Sequence, residues 1–434
     1  MRSINELCQK YKSLIASIAT VNVLAACVTS ETKEPRGLAY EIPFDSLVSD
    51  EFEDLRPLLP HIENKRIVQL GENSHGAREY SDMKARMIRF LHQEAGFDIV
   101  VFESSLYQCS RSNVAFPRPD VDTQVLLTGC AFGVWHTVEV KELFDYMRAT
   151  RGTGNPLFLA GYDVQPIGWN KRGRPEFLKS VVAFLDPEYA SDVEILDQSN
   201  IDAYNEGSSY RRVYYRDNRA QLVAAYTDLQ NWLELNQIAL RRLVDDPADV
   251  DYAIQTVWSI LQYIRQQTSQ DNTDYAEARD YGMARNIQAL VERLYPESRV
   301  IIWAHNAHIR HNNELLVPGE AEFIRARSAG AWLKDWYGAE IMTIGVYARS
   351  GMLVNNARKP FLITDVLKGS IETWQTKPGT VATLFIARQE HDPNWDAPVT
   401  GKYNGQQDVE MIARDQYDAI IVLDEVSPPE FLYE

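Results

Sequence analysis

Four apolar runs in this chain end in ionisable residues, and the residue types point to acid–base chemistry. "RIVQLGENSHG" delivers Glu72 and His75, "DIVVFES" delivers Glu103, "PLFLAGYD" delivers Asp163, and "RVIIWAHNAH" delivers His305 and His308. Histidine has an ordinary pKa close to neutrality, so it can take a proton from water and return it within one reaction cycle. A carboxylate beside the ring can hold it in one orientation and stabilise its protonated form. Three of the chain's eight histidines belong to this set. Taken singly, an acid at a strand end commonly caps the next helix. Recurring at successive strand ends, these groups define a candidate catalytic constellation.

The elements that must position them can be read from the same runs. The four above, with "IMTIGVY", "VATLFIA" and "AIIVLDE", are continuously apolar and β-branched, the pattern of strands buried on both faces. Helical stretches alternate with the early ones: Tyr80, Met83, Met87, Ile88 and Leu91 share one face, and Val140, Leu143, Phe144 and Met147 share another. This predicts an α/β fold, a mixed and mostly parallel sheet flanked by helices. Ligands in such folds bind beyond the carboxyl ends of the strands, where loops converge. From about 175 to 296 there is no strand signal, only amphipathic stretches such as Leu222, Tyr226, Leu229 and Leu233. That segment reads as an all-helical subdomain inserted in the α/β domain and roofing the cleft.

Composition narrows the function. The 434 residues are 45% hydrophobic and 24% charged, ordinary values for a globular protein, and the formal charge is −17. Such acidity argues against a nucleic-acid partner, whose phosphates need Lys and Arg. The start of the chain has the layout of a secretory leader: Arg2, Lys10 and Lys12, then the apolar run "SLIASIATVNVLAA", then Cys27. The run is too short to cross a bilayer as a helix. "LAAC" resembles a bacterial lipobox. The expectation is therefore a signal peptide over 1–26, a linker over 27–44 and a catalytic domain over 45–434. The protein would be exported to the periplasm or outer membrane and anchored through a lipid on Cys27. Of four cysteines, Cys8 and Cys27 fall in that leader region, and Cys109 and Cys130 remain, free to pair or to stay reduced. No CxxC or Cys/His zinc spacing occurs.

The motifs carry a resemblance. "LGENSHGAREY" and "WAHNAHI" resemble the two signatures of the erythromycin esterase family, and "VFES", "GYDVQ", Trp135-x-Thr137-x-Glu139, "ARDYGMARNI" and "RSAGAWL" fall between and after them in that family's order. The resemblance spans roughly 45 to 430. It implies an ester hydrolase that opens macrolide lactones with a histidine-activated water and no serine nucleophile. His75 would be the general base, Glu72, Glu103, His305 and His308 its companions in the active site, and His305 or His308 the donor to the oxyanion. Lys84, Arg86, Asp163 and Trp135 would contact the substrate. Drug-inactivating members carry an arginine where this chain has Lys84, with Arg86 two residues on. Lysine keeps the charge but lacks the planar fork, which separates the macrolide expectation from that of hydrolysis itself.

Other chemistries compete. A serine hydrolase lacks its G-x-S-x-G elbow here. No cofactor is called for. Three histidines and two glutamates could instead ligate Zn or Mn, with bound water as nucleophile and a cell-envelope or polysaccharide ester as substrate. A ligand-binding lipoprotein without turnover is the third reading, opposed by the number of ionisable groups in one crevice.

Overall fold

The computed structural model describes residues 40–317, 322–364, 366–374, 379–388 and 391–433. The expected leader and Cys27 lie outside the described residues. The strands are β1 (Tyr40–Phe44), β2 (Ile67–Leu70), β3 (Ile99–Ser105), β4 (Phe158–Asp163), β5 (Val300–Trp303), β6 (Ile341–Val354), β7 (Pro360–Leu362), β8 (Ala382–Ile386), β9 (Pro398–Tyr403), β10 (Gln407–Ile412) and β11 (Ala419–Val426). Nine form one sheet in the order β1-β8-β11-β6-β2-β5-β3-β4, with β7 on the extended end of β6. The six strands from β11 to β4 pair in parallel, while β1, β8 and β7 pair antiparallel. The expected mixed, mostly parallel α/β architecture is what is observed.

Residues of β2, β5 and β3 are buried on both faces, as their unbroken apolar runs require. One face, with Val68, Leu70, Phe102, Trp303 and Ile344, packs against the helices Arg78–Ala95 and Val138–Thr150 in the main core. Phe102 stacks on Trp303 with ring centroids 4.9 Å apart. Cys109 and Cys130 form a disulfide joining the helices Leu106–Ala115 and Thr123–Cys130.

Between β4 and β5 run the helices Arg174–Ala183, Pro187–Asn205, Ser208–Leu240, Ala248–Gln267 and Asn272–Ala289. Asp186 and Asp271 cap two of them, accepting from the amides of Tyr189 and Asp274. A buried Arg174 clamps Asp197 in a two-pronged contact at 2.8 and 2.9 Å, and Tyr226 donates to the same carboxylate at 2.8 Å. That hub ties three helices together in a geometry only arginine provides. The expected roof is narrower than the insertion: from this segment only Asn272–Ala289 lines the cavity described next.

Candidate active site

Register brings the site together. Leu70 pairs with Trp303, and Trp303 with Phe102, so β2, β5 and β3 end level. The residues that follow, Glu72, His305 and Glu103, therefore meet at one edge of the sheet. β3 carries an extra residue here. Phe102 pairs with Gly161 and Ser105 with Asp163, leaving Glu103 and Ser104 opposite one position. Such a bulge re-aims a side chain, and Glu103 turns into the crevice. Glycine is required at 161, since a Cβ there would lie 2.4 Å from the carbonyl oxygens of Ser104 and Ser105.

The first group is built on Glu72. Its carboxylate is buried, and its Oε1 accepts from His75 Nδ1 at 2.6 Å and from Trp135 Nε1 at 3.2 Å. Oε2 takes Lys84 Nζ, which also lies 3.8 Å from the centre of the Trp303 ring. Burial lowers the Lys84 ammonium to about 8 against the pull of Glu72. With Nδ1–H given to Glu72, His75 carries its lone pair on Nε2, for which the described residues offer no hydrogen bond. The side chain is 19% exposed and borders two cavities, so this nitrogen can meet a water and a substrate.

A second group lies beside it. Arg279 spans Asp163, with Nη2–Oδ2 at 2.5 Å, and Glu103, with Nη2–Oε1 at 2.9 Å. His308 Nδ1 donates to Asp280 at 2.7 Å. Burial alone would lower His308, but Asp280 and Glu103 outweigh it and push the ring up to about 10. Two partners compete for its Nε2: Arg279 Nη1 at 3.1 Å and Glu103 Oε1 at 3.3 Å. An imidazolium has no lone pair to offer Arg279, so its proton goes to Glu103 and Nη1 keeps its hydrogens for the cavity. Burial opposes charge on Glu103 too, yet His308 and Arg279 hold its carboxyl well below the usual range.

His305 differs. Burial, with His75 nearby, drives its pKa well below the ordinary value, so the ring is neutral. Its backbone N–H donates to Glu103 Oε2 at 2.9 Å, its Nδ1 accepts from the Ala307 amide at 3.0 Å, and its Nε2–H meets Asn404 Oδ1 at 3.1 Å. Asn404 stands at the tip of the β9–β10 hairpin. It and Gly405 both have positive φ, 52° and 68°, the left-handed conformation that Asn and Gly tolerate, in a loop of three residues, 404–406, between Tyr403 and Gln407. Both expected oxyanion donors, His305 and His308, thus have their N–H groups committed elsewhere.

The main cavity, about 820 Å³, is bordered by His75, Glu103, His305 and His308 among the expected residues, and by Arg279, Asp280, Tyr403 and Asn404. Four expected substrate contacts do not border it. Lys84 and Trp135 sit behind Glu72 and hold it. Asp163 is buried under Arg279. Arg86 faces the other way, bound to Asp54 at 2.6 Å and to the carbonyls of Ser49 and Glu51. Among the described residues no three His, Cys, Asp or Glu side chains converge as a metal-binding group.

The chain is similar in sequence and in fold to known proteins. The family model for erythromycin esterase matches residues 92–426. The Bacillus subtilis protein named "Putative hydrolase YbfO" is 28% identical over 399 residues, covering 86% of this chain and 87% of that protein. Erythromycin esterase type II of Escherichia coli is 24% identical over 322 residues, covering 70% of this chain and 73% of its own. Among solved structures, a mutant of the erythromycin esterase EreC in its open conformation superposes with a TM-score of 0.72 at 18% identity, covering 91% of this chain and 100% of that one. That likeness shows the fold.

Proposed function

The chain belongs to the erythromycin esterase family, which implies hydrolase activity, and from that premise we propose that it hydrolyses an ester through a water molecule deprotonated by His75. The observation that carries the reading is the ring of His75, fixed at Nδ1 by Glu72 and open at Nε2 where the cavities meet. Water between Nε2 and the acyl carbon gives its proton to the ring, and its oxygen bonds to that carbon. Glu72 stabilises the imidazolium formed, and Trp135 and Lys84 keep the carboxylate in place. The developing oxyanion is met by Arg279 Nη1–H, which lies on the cavity wall and, with His308 protonated, has no acceptor among the described residues. As the ester C–O bond breaks, the leaving oxygen takes the proton back from His75. The products are an alcohol and a carboxylic acid, which releases its proton to solvent and becomes a carboxylate.

A volume of about 820 Å³ lies in the upper part of the range for small-molecule sites. It suits a bulky substrate such as the macrocyclic lactone implied by the name of the Escherichia coli relative. The leader ending at Cys27 supports placing this hydrolase at the cell envelope on a lipid anchor. The test is mass spectrometry of macrolides, small lactones and linear esters after incubation with the protein and with His75→Ala. A gain of one water on a lactone, or cleavage of an ester, is expected with the native protein alone. Absence of any ester cleavage, or cleavage that survives the substitution, overturns the reading.

A further inference from the structure

The two cavities that meet at His75 differ in charge. The charged residues on the wall of the larger one, Glu103, Arg279, Asp280 and His308, are paired with one another. The smaller one, about 430 Å³, is bordered by Phe132, Gly133 and Val134 on one side and by Asn356 and Arg358 on the other, with His75 and Glu103 at the junction. Arg358 has no carboxylate partner among the described residues. Its Nη1 donates to the backbone oxygen of Tyr433 at 2.5 Å, and the guanidinium lies 4.0 Å from the centre of the Phe431 ring. It is the one cation bordering either cavity that no described carboxylate neutralises. Its backbone has a φ of 60°, a region where glycine sits freely and a side chain carries a cost. A turn that needed only the bend would be served better by glycine.

Hydrolysis of an ester makes one anion and one neutral alcohol. From the asymmetry of the walls we infer that the smaller cavity is the acyl-side subsite, an anion site in which Arg358 receives the carboxylate of a short acyl product as it leaves Arg279. The larger cavity, whose wall charges are paired with one another, then holds the alcohol portion. The assignment rests on the ester-hydrolase reading for its direction, but the anion site can be tested without turnover. Apolar Phe132 and Val134 line the path for a short carbon chain, and the guanidinium fork pairs with a carboxylate through two parallel hydrogen bonds.

The experiment is equilibrium binding of butyrate and of butyramide to the full chain by calorimetry, since the two probes match in shape and differ in charge. Butyrate is expected to bind about tenfold tighter than butyramide, and Arg358→Gln to erase that difference while Arg358→Lys keeps part of it. Gly133→Leu gives an independent check: Gly133 borders the cavity and a Cβ on it meets nothing within 4 Å, so the larger side chain can enter that space without displacing a neighbour. It should abolish butyrate binding even if Arg358→Gln proves unstable. Equal affinity for the two probes, a preference that survives Arg358→Gln, or butyrate binding unchanged in Gly133→Leu overturns the inference. Butyrate bound in this way by a protein that cleaves no ester would leave the subsite standing and remove the hydrolase reading. Ester cleavage without butyrate preference would do the reverse.

Discussion

Replacing His308 with glutamine should change how stability depends on pH. In the folded protein the ring sits at about 10 against an ordinary 6.5, because Asp280 and Glu103 outweigh the cost of burial. A folded pKa above the unfolded one means that the folded state holds the proton more tightly. The stabilisation is therefore complete below about pH 6.5 and is lost as pH climbs to about 10. At about 1.4 kcal/mol per unit, the full shift corresponds to about 5 kcal/mol, and relaxation around the cluster would reduce this to about 2 to 5. Lys84 works in the opposite direction. Its folded value of about 8 against 10.5 is a penalty present below pH 8 and relieved as pH rises. Both proteins carry Lys84, so it cancels in the difference between them. Urea unfolding followed by tryptophan fluorescence from about pH 6 to about pH 9.5 reads that difference. The gap between native and His308→Gln protein should shrink by about 1 kcal/mol per pH unit above neutrality. Parallel profiles, or a gap that widens with pH, would refute the charged-histidine cluster.

Two further substitutions separate support from chemistry. Arg86→Met should destabilise the protein by about 3 kcal/mol, because it strands the Asp54 carboxylate, and should leave kcat/KM unchanged; a selective loss of kcat/KM in folded protein would return Arg86 to the site. Replacing Cys109 and Cys130 together with serine should cost about 3 kcal/mol, since the bond closes a loop of 21 residues. Urea midpoints unchanged by the double substitution would show that the crosslink adds nothing.

Much of this was legible in the sequence because it depends on local pattern. Seven apolar runs read as strands are strands; six share one direction through parallel pairing, and β8 runs antiparallel to them. Glu72 and His75 are three residues apart in one loop, so their contact needed no long-range knowledge. Arg86 could have been placed correctly: at about 100° per residue, two steps from Lys84 turn it to the opposite side of the helix. The hairpin tip was also readable, since "KYNGQQ" holds an Asn-Gly pair between strand-forming segments. What the sequence could not supply is depth. Nothing local says that Trp135 and Lys84 lie behind Glu72 rather than before the substrate. Arg279 and Asp280 sit on a helix whose register against β4 is a tertiary property; only the motif "ARDYGMARNI" marked them. The bulge that turns Glu103 inward depends on β4 offering Gly161.

The central claim is that His75 and Glu72 act as one unit on water. It is tested most directly by kcat/KM for His75→Ala, Glu72→Gln and the double variant on one ester cleaved by the native protein. The account predicts a loss of about 10² to 10⁴ for His75→Ala, with the double variant no worse than that single one. Activity retained in His75→Ala, or losses that multiply in the double variant, would contradict it.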